Sequence, residues 1–196
     1  MSEQTGTEKP GEHPAAVLPE NALSAPGGQP AVDRAVHATQ FIRLMTHRLK
    51  FRFYLFARIP SAFFSGLRIR EMNESLCRVS IPYKWFSQNP FRSTYFACLS
   101  MAAEMSTGAL AMAHVYKHVP AISMLVIKVE STYYKKAVGL TTFTCTDGPA
   151  FKEIIARAVA TGEGQSFIAH SVGVNPQGEK VADFLITWSF KAKQKI

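Results

Sequence analysis

The feature of this sequence with the clearest capacity for chemistry is one carboxylate, Glu104, in an otherwise uncharged stretch. Residues 93–116 contain no other Asp, Glu, Lys or Arg, and their composition is that of a buried helix. Burial of an ionised carboxylate is costly unless it is paired or used, and burial raises its pKa towards the range of a general base. Two roles are open for Glu104. It is a base or nucleophile, or it is a structural carboxylate bonded to neighbouring hydroxyls or to Arg92.

Residues close to this carboxylate in the sequence could complete a site for attack on a carbonyl group. Such a reaction needs donors for the developing oxyanion as well as a base. The first turn of the helix, near Tyr95 and Phe96, offers free N–H groups biased positive by the helix dipole. The Asn89 side chain could add a donor, and Ser106 and Thr107 could hold a water. Asn89 could equally mark a turn, and Tyr95 could belong to the core.

Metal and redox chemistry find little support in the pattern of cysteines and histidines. The three cysteines are widely spaced and form no CxxC or Cys/His motif: Cys77, Cys98 and Cys145. His114 and His118 have the i, i+4 spacing of a metal pair, but no third ligand accompanies them. We therefore expect no metal and no cofactor. Reduced, mostly buried cysteines are typical of a cytoplasmic protein.

The hydrophobic pattern divides the chain into three parts. Residues 1–30 are rich in Pro, Gly, Ala and Glu and predict a disordered tail. Residues 31–59 predict one basic amphipathic helix that ends before Pro60. Residues 60–196 predict a single folded domain.

The positive charge is concentrated in this N-terminal helix and the residues that follow it. Eight Lys or Arg and no Asp or Glu lie between Arg34 and Arg70, in a chain of net charge +8. Residues 34–58 could therefore contact a membrane surface or another anionic partner. The alternative is a helix that packs its aromatic side on the domain and leaves its cations in water. Charge and scattered aromatics are too little to predict a nucleic-acid-binding protein.

The folded domain alternates between strand and helix patterns in a distinctive order. Two strands precede a long helix at about 94–113, and two strands, a short helix and two further strands follow it. This order lacks βαβ units, so it predicts an α+β fold. The long helix is rich in Ala and Gly, which would let a curved antiparallel sheet wrap closely around it. We expect the free sheet edge to pair with a second subunit.

Three segments, "PSAFFSGLRI", "NPFRSTYFA" and "AAEMSTGAL", resemble a largely uncharacterised bacterial family of thioesterase-like hotdog proteins. Phenylacetate-type acyl-CoA thioesterases, which are related, carry Asn-x-x-Gly-x-x-His-Gly-Gly followed by a helix with a carboxylate and a glycine. Aligned without gaps, Asn89, Glu104 and Gly108 match the Asn, the carboxylate and the helix glycine. The resemblance implies a hotdog fold, a homodimer or dimer of dimers, and acyl-CoA or another acyl thioester as the partner.

The resemblance also assigns roles to individual residues. It implies catalytic roles for Glu104 and Asn89 and a CoA contact at the basic strand end of Lys135 and Lys136. Thr107 is a third catalytic candidate because it lies within one turn of Glu104, and the loop adds four candidate substrate contacts: Arg92, Ser93, Tyr95 and Phe96. The chain departs from the thioesterase pattern where Tyr-Phe-Ala replaces His-Gly-Gly and Arg92 replaces the loop glycine. These changes affect the oxyanion site. The expected function is therefore thioester hydrolysis or, as the alternative, acyl or lipid binding without turnover. Lys135 and Lys136 could also be exposed to solvent with no ligand.

Overall fold

The computed structural model describes residues 31–193, so the predicted tail over residues 1–30 lies outside the described residues. Five α-helices and six strands follow in chain order. The helices are α1 Ala31–Thr46, α2 Arg48–Arg58, α3 Pro60–Ser65, α4 Phe96–Val115 and α5 Gly148–Thr161. The strands are β1 Arg68–Met72, β2 Cys77–Ile81, β3 Ile122–Tyr133, β4 Thr141–Cys145, β5 Gln165–Val174 and β6 Lys180–Ala192. A short 3₁₀ helix, Trp85–Ser87, precedes α4.

One antiparallel sheet of six strands packs around α4. The strand order is β1-β2-β4-β5-β6-β3, so β1 and β3 are the edges. The long helix contacts β2, β4, β5 and β6, and the sheet curves around it. The predicted α+β fold, with an antiparallel curved sheet wrapped around a central helix, is confirmed.

The small residues of α4 allow this close packing. The side chains of Ala102, Ala103 and Ala111 are fully buried, and Ser106 shares a hydrogen bond of 2.7 Å with Ser171 of β5. By length and composition α4 could cross a membrane, but 67% of its most apolar window is buried in the fold. This burial is the pattern of a core helix, which the sequence favoured.

The N-terminal helical segment differs from the single helix predicted over residues 31–59. It consists of α1 and α2, separated at His47, whose backbone is extended at φ −74° and ψ 105°. The His47 ring accepts a hydrogen bond from the Lys50 amide at 3.4 Å and caps α2. Pro60 ends α2 as expected, but it also begins α3 at a position where its missing N–H is not needed.

Candidate functional site

The loop before α4 is shaped by the side chain of Asn89. Its Oδ1 accepts hydrogen bonds from the amides of Phe91 (2.9 Å) and Ser93 (3.2 Å) and from the Ser93 hydroxyl (3.2 Å). This arrangement is an Asx turn, in which a short polar side chain replaces a backbone acceptor. Asn89 therefore folds the loop, and no hydrogen bond within residues 31–193 uses its Nδ2 group, which could donate to a ligand.

Arg92 occupies a left-handed backbone conformation. Its φ is +56°, in the left-handed region that favours glycine. The thioesterases that the sequence resembles carry glycine at this position. This conformation costs about 1–2 kcal/mol for a side chain with Cβ.

A second set of bonds fixes this loop against the segment that follows β3. The amide and hydroxyl of Thr94 both donate to the Ala137 carbonyl, at 2.8 and 3.0 Å, and the Tyr95 amide donates to the Ser87 carbonyl at 2.7 Å. A cleft of about 550 Å³ lies between the two segments. It brings together six of the residues predicted from the sequence: Asn89, Ser93, Tyr95, Phe96, Lys135 and Lys136. Arg92 lies in the same loop but does not line the cleft.

The first turn of α4 opens at this cleft. Tyr95 is the N-cap residue and makes no side-chain capping bond. Among residues 31–193 no hydrogen bond satisfies the amides of Phe96 and Ala97, so they remain available as donors at the positive end of the helix. The rings of Tyr95 and Phe96 contact each other at 4.9 Å between centroids and are about half exposed. They form the mouth of the cleft.

The two lysines of the cleft differ in their partners. Lys135 is ion-paired with Glu179, and Asn175 donates to the other Glu179 oxygen at 2.8 Å. The hydrogen bond from Lys135 holds the pKa of the Glu179 carboxyl below its usual value. Lys136 is exposed, and the described part of the chain offers it no ion pair. Lys136 is therefore the more available cation for an anionic group.

Glu104 lies in a different environment, two helical turns further along α4. It lines a cavity of about 340 Å³ that is otherwise walled by apolar and aromatic side chains of α1, α2, α4, β3 and β6. No hydrogen bond or ion pair between residues 31 and 193 involves its carboxylate. Burial raises the pKa of the Glu104 carboxyl above its usual value. The structure thus presents an unpaired, half-buried carboxylate to an apolar space.

The hydroxyls that could have paired with Glu104 are used elsewhere. Thr107 Oγ1 donates to the Glu104 backbone carbonyl at 3.0 Å and accepts from the Trp188 indole N–H at 3.0 Å. Ser106 bonds to the Ala103 carbonyl and to Ser171. Thr107 therefore fastens α4 to β6, and among residues 31–193 its hydroxyl does not contact the Glu104 carboxylate. A catalytic role for Thr107 stays a prediction. The alternative structural role for Glu104, as a carboxylate paired with a hydroxyl or with Arg92, is not observed among residues 31–193.

Gly108 provides the space in which the Glu104 side chain lies. A Cβ atom at Gly108 would be 3.1 Å from Glu104 Oε1 and 3.0 Å from the Trp188 ring. Both distances are tighter than ordinary contacts. A glycine inside a helix costs about 1 kcal/mol relative to alanine, and here it leaves room for the carboxyl beside the indole.

A half-exposed face of α4 runs from the first turn of the helix to Glu104. Ala97, Ser100, Met101 and Glu104 are all half-exposed on a helix whose other residues are mostly buried. Their spacing of i, i+3, i+4 and i+7 places them on one face. Eight residues separate Phe96 from Glu104, which is about 12 Å along the axis. A molecule longer than this could therefore contact both sites.

Sequence reasoning did not identify the residues that enclose Glu104. Phe51 and Tyr54 from α2 and Trp188 from β6 line its cavity. The alternating burial of β6 could have placed Trp188 on the inner face. Nothing in the pattern indicates which helical residue it meets, because Thr107 is 81 positions away.

Three solved structures are similar to this chain over most of their length. PA5026 from Pseudomonas aeruginosa, a protein of unknown function and probable thioesterase, has 19% identity and a TM-score of 0.65, with 76% of this chain and 99% of that chain covered. OLEI01261, of unknown function, from Chlorobaculum tepidum has 13% identity and a TM-score of 0.60, covering 76% and 98%. The thioesterase HI1161 from Haemophilus influenzae has 10% identity and a TM-score of 0.55, covering 73% and 90%. At these identities the similarity shows the fold, which is the thioesterase hotdog fold.

The family comparison covers most of the same region. Residues 50–189 match the domain of unknown function DUF4442, which begins within α2 and ends within β6. No curated protein matches the chain. The predicted resemblance to a largely uncharacterised, thioesterase-like hotdog family is confirmed. The chain belongs to the DUF4442 family.

Proposed function

We propose that this protein hydrolyses acyl thioesters, with acyl-CoA as the substrate class and Glu104 as the general base or nucleophile. The observation that carries the proposal is the unpaired Glu104 carboxylate, with its raised pKa, facing an apolar cavity of about 340 Å³. The cavity suits an acyl chain, and the cleft suits the polar carrier. Lys136 and the loop of Ser93, Tyr95 and Phe96 lie where they could contact that carrier.

The reaction follows from the groups that the chain supplies. As a base, the Glu104 carboxylate takes a proton from water, and the water oxygen bonds to the thioester carbonyl carbon. The carbonyl electrons move to oxygen, and N–H groups at the start of α4 donate to this oxyanion. When the carbonyl re-forms, the C–S bond breaks and the thiolate leaves, to be protonated by the acid form of Glu104.

The proposal includes a homodimer formed through β3. β3 is an edge of the sheet, and its backbone is free to pair with another strand. Val129 and Tyr133 pair with the buried residues Ile186 and Ala182 and so point to the helix side of the sheet, yet they are 47% and 44% exposed. A second copy related by a two-fold axis would cover them. It would also bring one subunit's α4 start towards the other subunit's Glu104.

A second candidate function, acyl binding without turnover, is favoured by the residues at the mouth of the cleft. Tyr95 and Phe96 stand where thioesterases of the resembled type carry His-Gly, and their rings meet edge to face beside the first free amides of α4. Bulky side chains there restrict how closely a thioester carbonyl can approach the amides. The two functions share one site and differ only in whether the carbonyl reaches the donors.

A hydrolysis assay across acyl-CoA chain lengths separates these functions. We expect wild-type turnover, and we expect Glu104→Gln to lower kcat/KM by about 100-fold or more, as for loss of a general base. Glu163→Gln is the matched control, because Glu163 is an exposed carboxylate in the turn before β5. Equal turnover in wild type and Glu104→Gln would remove Glu104 from the chemistry. Calorimetric binding of acyl-CoA without any turnover would favour the binder.

A further inference from the structure

Helix α2 presents a second apolar face that the fold does not cover. Phe51 and Leu55 point into the core and are 4% and 0% exposed. Leu49, Phe53 and Phe56 follow the spacing i, i+4 and i+7, which places them together on the opposite face. They are 77%, 73% and 55% exposed.

The helix break at His47 produces this exposure. In α1, Phe41 and Met45 are buried with a spacing of four, and an unbroken helix would carry that face on to Leu49. The break resets the register, so that Phe51 enters the core and Leu49 turns to solvent. The exposed face therefore follows from the backbone geometry of the segment.

Aromatic side chains from two further elements extend this face. Phe56 contacts Phe64 of α3 at 6.5 Å between ring centroids, Phe64 contacts Phe86 at 5.7 Å, and Phe86 contacts Trp85 at 6.4 Å. Trp85, in the 3₁₀ helix, is 82% exposed. We name six residues from these elements the aromatic face: Leu49, Phe53, Phe56, Phe64, Trp85 and Phe86. Exposed apolar patches of this kind mark contact sites for proteins or membranes.

Cations without acidic partners surround the aromatic face. Arg48 and Lys50 lie on α2 on either side of the exposed stripe. None of the Lys and Arg side chains from residue 34 to residue 70 is in an ion pair within the described part of the chain. Burial and the neighbouring charges of Arg52 and Arg68 lower the pKa of Lys84. Three cations are therefore crowded together beside the face, where an anion would relieve their repulsion.

We propose that the aromatic face binds the surface of a membrane that contains anionic lipids. Aromatic and leucine side chains would enter the interfacial region while the flanking Lys and Arg contact lipid headgroups, as in interfacial amphipathic helices. A second copy of the chain is a poorer occupant, because it would bring the same unpaired cations against each other. The proposal does not rest on thioester hydrolysis.

Vesicle flotation with the full chain tests this proposal. We expect the protein to float with vesicles of phosphatidylcholine and phosphatidylglycerol, to bind pure phosphatidylcholine far less, and to be released by high salt. Arg48→Gln with Lys50→Gln should weaken binding about 30-fold, since each cation near an anionic surface contributes about fivefold. Leu49→Ser with Phe53→Ser should weaken it at least about tenfold. The controls are Lys191→Gln with Lys193→Gln, and Ile168→Ser, which change exposed residues of β6, the chain after it and β5.

Tryptophan fluorescence locates the contact on the protein. The chain has two tryptophans; Trp85 is exposed, and Trp188 is 4% exposed. Brominated lipid should quench the wild type on binding and should leave the remaining emission of Trp85→Phe unchanged. The proposal fails if neutral and anionic vesicles bind equally, if the control variants lose binding as strongly as the others, or if an oligonucleotide binds more tightly than vesicles. It also fails if Trp85 is shielded from aqueous quenchers in a concentration-dependent oligomer.

Discussion

The Glu104 cavity and the cleft at the start of α4 lie along one helix but are built in different ways. The cavity is formed by side chains from distant elements, is mainly apolar, and contains one carboxylate without a partner. The cleft is formed by two loops, is open, and most of its polar groups are already bonded. Burying the Glu104 carboxylate without a partner costs free energy, and a role in catalysis or binding would explain its presence in the cavity. The cleft has the polar, adaptable character of a recognition site.

This difference predicts where substitutions will affect folding. Cavity residues lie in the core packing between α4 and the sheet, so changes there should alter stability as well as activity. Cleft residues are anchored mainly by backbone bonds, so changes there should alter binding with small effects on stability.

The largest stability effect is expected at Thr107, which accepts a hydrogen bond from Trp188 in the wall of the cavity. Thr107→Val keeps the volume but leaves the Trp188 indole N–H buried without an acceptor. We expect the free energy of unfolding to fall by about 1–3 kcal/mol, measured by urea denaturation. Thr107→Ser retains the hydroxyl, so its free energy of unfolding should fall by clearly less. Equal losses in both variants would show that the missing hydrogen bond is not the cause.

A smaller effect of opposite sign is expected at Arg92, in the loop of the cleft. Arg92→Gly removes the cost of a left-handed conformation but makes the unfolded chain more flexible. We expect a net gain of about 0.5–1 kcal/mol in the free energy of unfolding. Arg92→Ala keeps Cβ and is the control, so it should give no gain. A gain of the same size in Arg92→Ala would trace the effect to the arginine charge instead of the backbone.

The last effect concerns the pH dependence of stability at Glu104. Burial raises the folded-state pKa, so the folded chain holds this proton more tightly than the unfolded chain does. The resulting stabilisation is complete below the unfolded pKa, about 4.3, and is lost as the pH rises through the folded-state pKa. The Glu104→Gln variant has no ionisable group at this position, so its stability does not fall as the pH rises. Its Tm should therefore exceed that of wild type at about pH 8 and converge with it near about pH 4.

Calorimetric melting of wild type, Glu104→Gln and Glu163→Gln over this pH range measures the effect. Glu163→Gln should follow wild type at every pH, because its carboxylate is exposed. A lower Tm for Glu104→Gln at high pH would mean that the ionised carboxylate is stabilised in the fold. That result would contradict the contrast between the two sites.

The sequence allowed prediction of the parts of the site that are local. Asn89, Ser93, Tyr95 and Phe96 come together because they lie on one short loop and the first turn of one helix. The central helix and the order of strands and helices along the chain could also be predicted, because the 3.6-residue and two-residue hydrophobic periods persist through these segments. Glu104 stood out because it is the one charged residue in residues 93–116.

The cavity could not be predicted, because it depends on contacts between distant residues. Thr107 and Trp188 meet through the register of β6 against α4, which no local pattern encodes. The break at His47 decides that Phe51 lines the cavity and Leu49 faces solvent, although both belong to one predicted helix. Periodicity gives the face of each helix but not the point at which the register changes.

The most direct test of the central claim is an NMR titration of the Glu104 carboxyl. Protein labelled at the glutamate carboxyl carbons would be titrated, with Glu104→Gln identifying the resonance. An unpaired carboxylate in an apolar cavity should titrate clearly above about 4.3, the ordinary value for Glu. Titration at or below that value would mean that the carboxylate is paired or well solvated. It would then have no electrostatic cost for a function to explain, and the case for Glu104 as a base would be lost.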